Sequence, residues 1–232
     1  MRVIPFSTSS DDNVVATKSE NVSRGSSDFQ VKSAFVQNNY TTSFRNSDFF
    51  KSEPTETTRL LQEDDVKNAH ELGMCAACVT YWLKNNKVPG LTDYKEIDMI
   101  IRDQGNYSRD GDFTDDDSRA QLIKKVLDKD VTSLIKVTGV MTSMQIAALV
   151  RLLKANSGNT VYISIGFESV SGRHALGMKN GQLFDPNNGV YDFSASKNDD
   201  AKFVMLLSYF LNTIATDNGN WGKSKDLLAY II

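Results

Sequence analysis

Cysteine and histidine are almost missing from this chain: 232 residues hold two of each, Cys75, Cys78, His70 and His174. Two thiols three positions apart would stand on neighbouring turns of a helix, so a disulfide-built scaffold is excluded. Any thiol or imidazole chemistry must pass through these four side chains. Long apolar runs are also missing. No stretch approaches the roughly 18 to 20 apolar residues that span a bilayer, which argues against a membrane span. The opening Met1–Ser7 is too short in its apolar part for a secretory signal, and it lacks the Met-Gly of a myristoylation site. Positive charge is not in excess either, with 26 Lys and Arg against 29 Asp and Glu and a net charge of -3. No basic cluster interleaved with aromatics appears, so no nucleic-acid partner is expected.

What is present suits a soluble globular protein. Apolar residues make up 40% of the chain, close to the average for a domain with a full core, and the length fits one domain plus a tail. Residues 1–55 differ from the rest. Ser, Thr, Asn and Asp crowd them, and their apolar positions hold neither a helical nor a strand period for long. Such a segment buries too little to offset its ordering entropy, so it reads as a flexible leader. The folded domain is expected over residues 56–232.

Within that domain the period changes once. Residues 60–71 are polar and helix-compatible. After Gly73, the run from Cys75 to about Asn86 reads as a compact apolar helix closed by Val88-Pro89-Gly90. A second helix is expected over Tyr94–Arg102 and a loop over Asp103–Asp112. A third, capped by Thr114 or Asp115, should reach Asp130 with Asp115, Asp116 and Asp117 in its first turn, where the helix dipole favours acids. Ser143–Lys154 gives another helix. Then Thr160–Phe167, Arg173–Lys179, Gln182–Asp185 and Val190–Phe193 read as strands. Asn180-Gly181 between two of them is the strongest short hairpin signal. Lys202–Thr213 should be helical and Leu227–Ile232 a further strand. Helices followed by an antiparallel sheet make an α+β fold.

Cys75 follows Gly73-Met74 and opens the apolar helix. A thiol there meets unsatisfied N–H groups and the positive end of the dipole, which favours the nucleophilic thiolate. The glycine leaves room for a sharp turn and for a substrate carbonyl, and Trp82 lies two turns further along the same face as a core anchor. Free cysteine is also a common small buried hydrophobe, the reading adopted for Cys78. His174 opens a strand, and a histidine acting as base needs a third group, typically a carboxylate, to fix its tautomer. Asp185 stands across the Asn180-Gly181 turn from it. The two are near opposite one another on paired strands, give or take a register step. Taken singly, a strand-start histidine is usually structural and an Asp before Pro usually opens a turn; the combination is what points to chemistry.

Gly73-Met74-Cys75 with Trp82 after it, then His174-Ala-Leu, then Leu183-Phe184-Asp185-Pro186-Asn187 followed by Gly189 and Phe193, resembles the YopT/AvrPphB family. Those are papain-like cysteine proteases that bacteria deliver into host cells. The resemblance covers roughly residues 65–232, and the Phe-Asp-Pro-Asn-x-Gly stretch is its most specific part. It implies a papain-like fold in which a helical lobe presents the nucleophile helix to an antiparallel sheet. It also implies a catalytic triad of Cys75 as nucleophile, His174 as base and later acid, and Asp185 as its orienting partner. The implied protein is a secreted virulence effector acting in the host cytoplasm. Its partners would be a host protein substrate and a secretion chaperone on the leader, with no cofactor and no metal. The family carries an amide about five residues before the nucleophile to complete the oxyanion hole. Here His70 holds that place and Asn68 lies two residues earlier, and either could donate beside the Cys75 N–H. The spacing from His174 to Asp185 is short for the family, which implies a tighter hairpin.

Four other readings share these residues. Glutamine deamidation or transglutamination uses the same triad on a side-chain amide. Cys75-Ala-Ala-Cys78 formally matches a redox dithiol, without the strand that should precede it. His70, Cys75, Cys78 and His174 could ligate zinc, although two of them fall within a continuous helix. A non-enzymatic interaction module would leave the thiol unreactive.

Overall fold

The computed structural model describes residues 2–5, 31–33, 35–48, 74–110, 116–139, 160–167, 173–192 and 224–232, with 147, 149 and 151. Among the described residues, eight strands form one sheet: β1 (Arg2–Pro5), β2 (Val31–Ser33), β3 (Ser133–Thr138), β4 (Val161–Phe167), β5 (Arg173–Lys179), β6 (Gln182–Asp185), β7 (Gly189–Asp192) and β8 (Ser224–Ile231). Their order is β1-β3-β8-β4-β5-β6-β7-β2. From β3 through to β2 every neighbouring pair is antiparallel, and β1 adds to the β3 edge in parallel. Together with helices α1 (Gln37–Asn46), α2 (Cys75–Asn85), α3 (Tyr94–Asp110) and α4 (Asp116–Leu127), the architecture is α+β.

The Asn180-Gly181 turn sets the register that matters for the site. Both residues take positive φ, 53° and 73°, the backbone a two-residue hairpin needs to match the strand twist. It fixes Lys179 opposite Gln182 and Gly177 opposite Phe184. On the other side of β5, Ile165 pairs with His174 and Gly166 with Arg173, and the same rows continue into β8 at Leu227 and Asp226. Strand alternation therefore sends His174 and Arg173 to opposite faces.

Helix α2 lies against β5 because β5 leaves room for it. A Cβ on Gly177 would come within 3.1 Å of Trp82 and 3.2 Å of both Leu83 and Val79. Trp82 is buried and its ring meets Phe184 with centroids 5.5 Å apart. At its C-terminus α2 stops on Asn86, which adopts the left-handed conformation and donates its N–H to Trp82 O at 2.7 Å. Lys179 reaches from β5 to Leu83 O at 2.8 Å, supplying a cation where the helix dipole is negative.

Several expectations change. Residues 1–55 do not form a uniform flexible leader, because α1 lies within them and Phe35, Tyr40 and Phe44 are in the main core. Phe35 stacks on Tyr40 at 4.3 Å and meets Phe184 edge-on at 5.3 Å, while Phe44 faces Tyr94 at 6.5 Å. Buried aromatic side chains contribute about 1.5–3 kcal/mol each, enough to order a polar ten-residue helix that composition alone reads as mobile. The expected loop over Asp103–Asp112 is helical as far as Asp110. Packing against α2 extends α3 through Gly105, which is buried, and overrides its weak propensity. Strand β3 had no expectation at all. Its Ser-Leu-Ile-Lys-Val-Thr run is short, and its pairing partners are remote in sequence. Ala147, Leu149 and Arg151 are helical, within the helix expected over Ser143–Lys154. The helices expected over 60–71 and Lys202–Thr213 and the 55/56 boundary lie outside the described residues, as do the proposed caps Thr114 and Asp115. Among the described residues no helix is long and apolar enough to cross a membrane.

Candidate active site

An α-helix begins with N–H groups that no earlier carbonyl can accept, and α2 begins with no helpful side chain of its own. Met74 occupies the N-cap and forms no side-chain cap bond. Two glutamines from elsewhere in the chain supply acceptors instead. Gln37 Oε1 takes the Met74 N–H at 2.7 Å, and Gln104 Oε1 takes the Ala77 N–H at 3.2 Å. Between them lie the N–H groups of Cys75 and Ala76, which the helix's own carbonyls cannot satisfy. The Cys75 side chain is half-buried at this open end, and its thiol donates to Arg173 O at 3.7 Å.

His174 follows Arg173 on β5 and is 1% exposed. Its Nε2 lies 2.9 Å from Asp185 Oδ1. The hairpin register places Asp185 beyond Phe184, so it stands diagonally from His174 rather than opposite it, two positions along and on the same face. Asp185 is fully buried and its carboxylate is held from all sides. Oδ1 also accepts the Asn187 N–H at 2.9 Å, and Oδ2 accepts Asn188 Nδ2 at 2.6 Å. The Asn188 N–H closes the turn on Asp185 O at 3.1 Å. The Asp-Pro-Asn-Asn sequence thus builds an Asx-type turn whose donors point inward at the acid.

Burial on its own would lower the His174 pKa. The charge and hydrogen bond of Asp185, with a smaller contribution from the hydrogen bond and charge of Cys75, outweigh it and push the value up to about 10. At neutral pH the ring is an imidazolium that donates its Nε2–H to Asp185, and the same ring interacts with the Cys75 side chain. Of the three side chains singled out from the sequence, His174 and Asp185 are in direct contact, and Cys75 interacts with the same imidazole. A thiol, an imidazole and a carboxylate grouped in this way can deliver a sulfur nucleophile and then a proton.

Arg173 braces the strand at this point. Its Nε donates to Ser164 Oγ at 2.7 Å and its Nη2 to Ser164 O at 3.1 Å, and the guanidinium pairs with Asp226 on β8. Gly166 makes room for this pair, since a Cβ there would meet Arg173 Nη1 at 2.7 Å and Asp226 Oδ2 at 2.9 Å. The Arg173 carbonyl that receives the Cys75 thiol is thus tied to three strands.

Cys78 does not join the site. It is buried in the core, and burial pushes its thiol well up, with nearby Cys75 adding to the effect. Both cysteines are free. The oxyanion candidates His70 and Asn68 lie outside the described residues. Among the described residues no group of three or more His, Cys, Asp or Glu side chains is disposed to hold a metal ion. Gln37 and Gln104 escaped the sequence reading. The Phe35, Tyr40, Phe44 spacing could have marked the helix that carries Gln37 but not the role of its amide, and Gln104 carries no signal beyond its place on a helix.

No protein-family model matches the chain, and no curated protein sequence matches it. Among solved structures, the crystal structure of the Pseudomonas avirulence protein AvrPphB is similar with a TM-score of 0.49 and 16% sequence identity, over 71% of this chain and 93% of that one. At that identity a likeness in layout says nothing of shared chemistry.

Proposed function

We propose that this protein is a cysteine endopeptidase that cuts a protein substrate through an acyl-enzyme on Cys75. The observation that carries the reading is the His174 Nε2 to Asp185 Oδ1 contact of 2.9 Å, together with the interaction of Cys75 with the same imidazole. In this mechanism the Cys75 thiolate adds to the scissile carbonyl and the oxyanion forms beside the Cys75 N–H. The His174 imidazolium gives its proton to the leaving amine as the C–N bond breaks. Neutral His174 then takes a proton from water, hydroxide adds to the thioester, and the acid product leaves as the thiolate and imidazolium are restored. Asp185 holds the ring in place and stabilises its charge throughout.

The sequence resemblance extends the reading to a bacterial effector acting on a host protein. Incubating the protein and its Cys75→Ala variant with host-cell lysate and sequencing the new N-termini tests it. Fragments made by the native protein alone support a protease. A gain of about one mass unit on an intact partner, without scission, would move the same site to glutamine deamidation, and full cleavage by Cys75→Ala would remove Cys75 from the chemistry.

A further inference from the structure

We propose that Gln37, far upstream of the nucleophile, is a positioning residue that fixes Cys75 relative to the turn carrying Asp185. The inference rests on the hydrolase reading above. Gln37 is 7% exposed, and each of its polar groups is engaged. Its backbone N–H donates to Pro186 O at 2.9 Å, its Nε2 donates to Asn187 Oδ1 at 2.6 Å, and its Oε1 accepts the Met74 N–H at 2.7 Å. Met74 immediately precedes Cys75. Asn187 follows Asp185 by two residues and donates its own N–H to that carboxylate. One amide therefore spans the gap between the helix that carries the sulfur and the turn that carries the acid.

The geometry separates this role from ordinary scaffolding. Phe35, Tyr40 and Phe44 hold the segment in the core through apolar contacts that do not involve the Gln37 amide. An N-cap side chain on α2 itself could satisfy the Met74 N–H, as Ser or Asp commonly does, yet it would leave the helix free to shift against the sheet. A cap that is also bonded to Asn187 couples the two. Small displacements at a reacting centre are costly in rate, on the order of a hundredfold for about 1 Å, so this coupling acts on the sulfur–imidazole distance.

The test is the pH dependence of iodoacetamide alkylation of Cys75 in the full chain, read by mass spectrometry, for the native protein, Gln37→Met and Asn187→Ala. Native protein should alkylate at pH 6, where an ordinary thiol with a pKa near 8.5 is almost inert. Gln37→Met should lose about tenfold or more of that rate at pH 6 while matching native protein at pH 9.5. Asn187→Ala, which removes the far anchor and leaves the Met74 bond, should shift the profile in the same direction by less. Should Gln37→Met fail to fold, Asn187→Ala decides. A native-like profile in whichever variant decides overturns the role of Gln37. An ordinary thiol profile in the native protein itself overturns the hydrolase reading, and the inference with it.

Discussion

Asp185 stands one diagonal step across a two-residue hairpin from His174, and 2.9 Å separates the carboxylate from the imidazole. The turn length therefore decides whether the pair exists. A one-residue slip of β6 would carry Asp185 to the opposite face of the sheet. Asn180 and Gly181, with their positive φ values, guard the site as much as they guard the fold.

Removing the acid's charge should be felt at the imidazole first. Asp185→Asn deletes the main cause that raises the His174 pKa, so that pKa should fall, as an NMR titration of the ring would show. Turnover should drop on the order of 10²- to 10⁴-fold, the usual worth of a positioned acid–base group. An unchanged His174 titration would sever the link between the two residues.

Stability should depend on pH with a definite sign. The folded His174 pKa, about 10, lies above the ordinary value of 6.5, so the folded state binds the proton more tightly than the unfolded chain. That contribution is complete below about pH 6.5 and disappears as pH rises towards about 10. Urea midpoints at pH 6, 8 and 10 should decline in that order. His174→Gln should flatten the decline, and a native midpoint that rises over this window would contradict the assignment.

Gly177→Ala tests the seat of the nucleophile helix. The added methyl would press on Trp82, Leu83 and Val79 at 3.1–3.2 Å, and overpacking of this kind typically costs about 1–3 kcal/mol. Because α2 must back away from β5, cleavage should fall further than the loss of folded protein explains. Comparing kcat/KM with the folded fraction measures the difference.

Cys78→Ala should separate the two thiols. Cys78 is buried among apolar neighbours, so the variant should lose about 1 kcal/mol of stability, the centre of the range for point mutations, and keep its activity. Loss of activity with the fold intact would return the redox reading to consideration.

The residues of the candidate site are legible in the sequence because their types are rare here and their neighbours are distinctive. Two cysteines and two histidines leave little to choose from, and Asn180-Gly181 with Asp185-Pro186-Asn187 announces its turns through local backbone chemistry. The strands β4, β5 and β6 and the helix α2 followed from local period for the same reason. Gln37 was not legible, since its importance comes from contacts with Met74, Pro186 and Asn187 that only the assembled chain creates. The α1 helix was lost to the polar composition around it, and α3 was cut short because Gln104-Gly105-Asn106 looks like a loop until α2 is laid beside it. His70 and Asn68 follow from spacing to Cys75 alone and lie outside the described residues, whereas the N–H acceptors at the α2 N-terminus come from 37 positions upstream of Met74 and from a neighbouring helix.

Strand β8 lies between β3 and β4, which would otherwise be the natural neighbours in chain order. While residues 224–231 are still being synthesised, β3 and β4 have no edge to share, and the row that runs from Arg173 to Asp226 lacks its acidic end. On the ribosome the hairpin carrying His174 and Asp185 can form early from local contacts, but the sheet that braces it closes late. Such an order of events would leave the His174–Asp185 hairpin unbraced until residues 224–231 have joined the sheet.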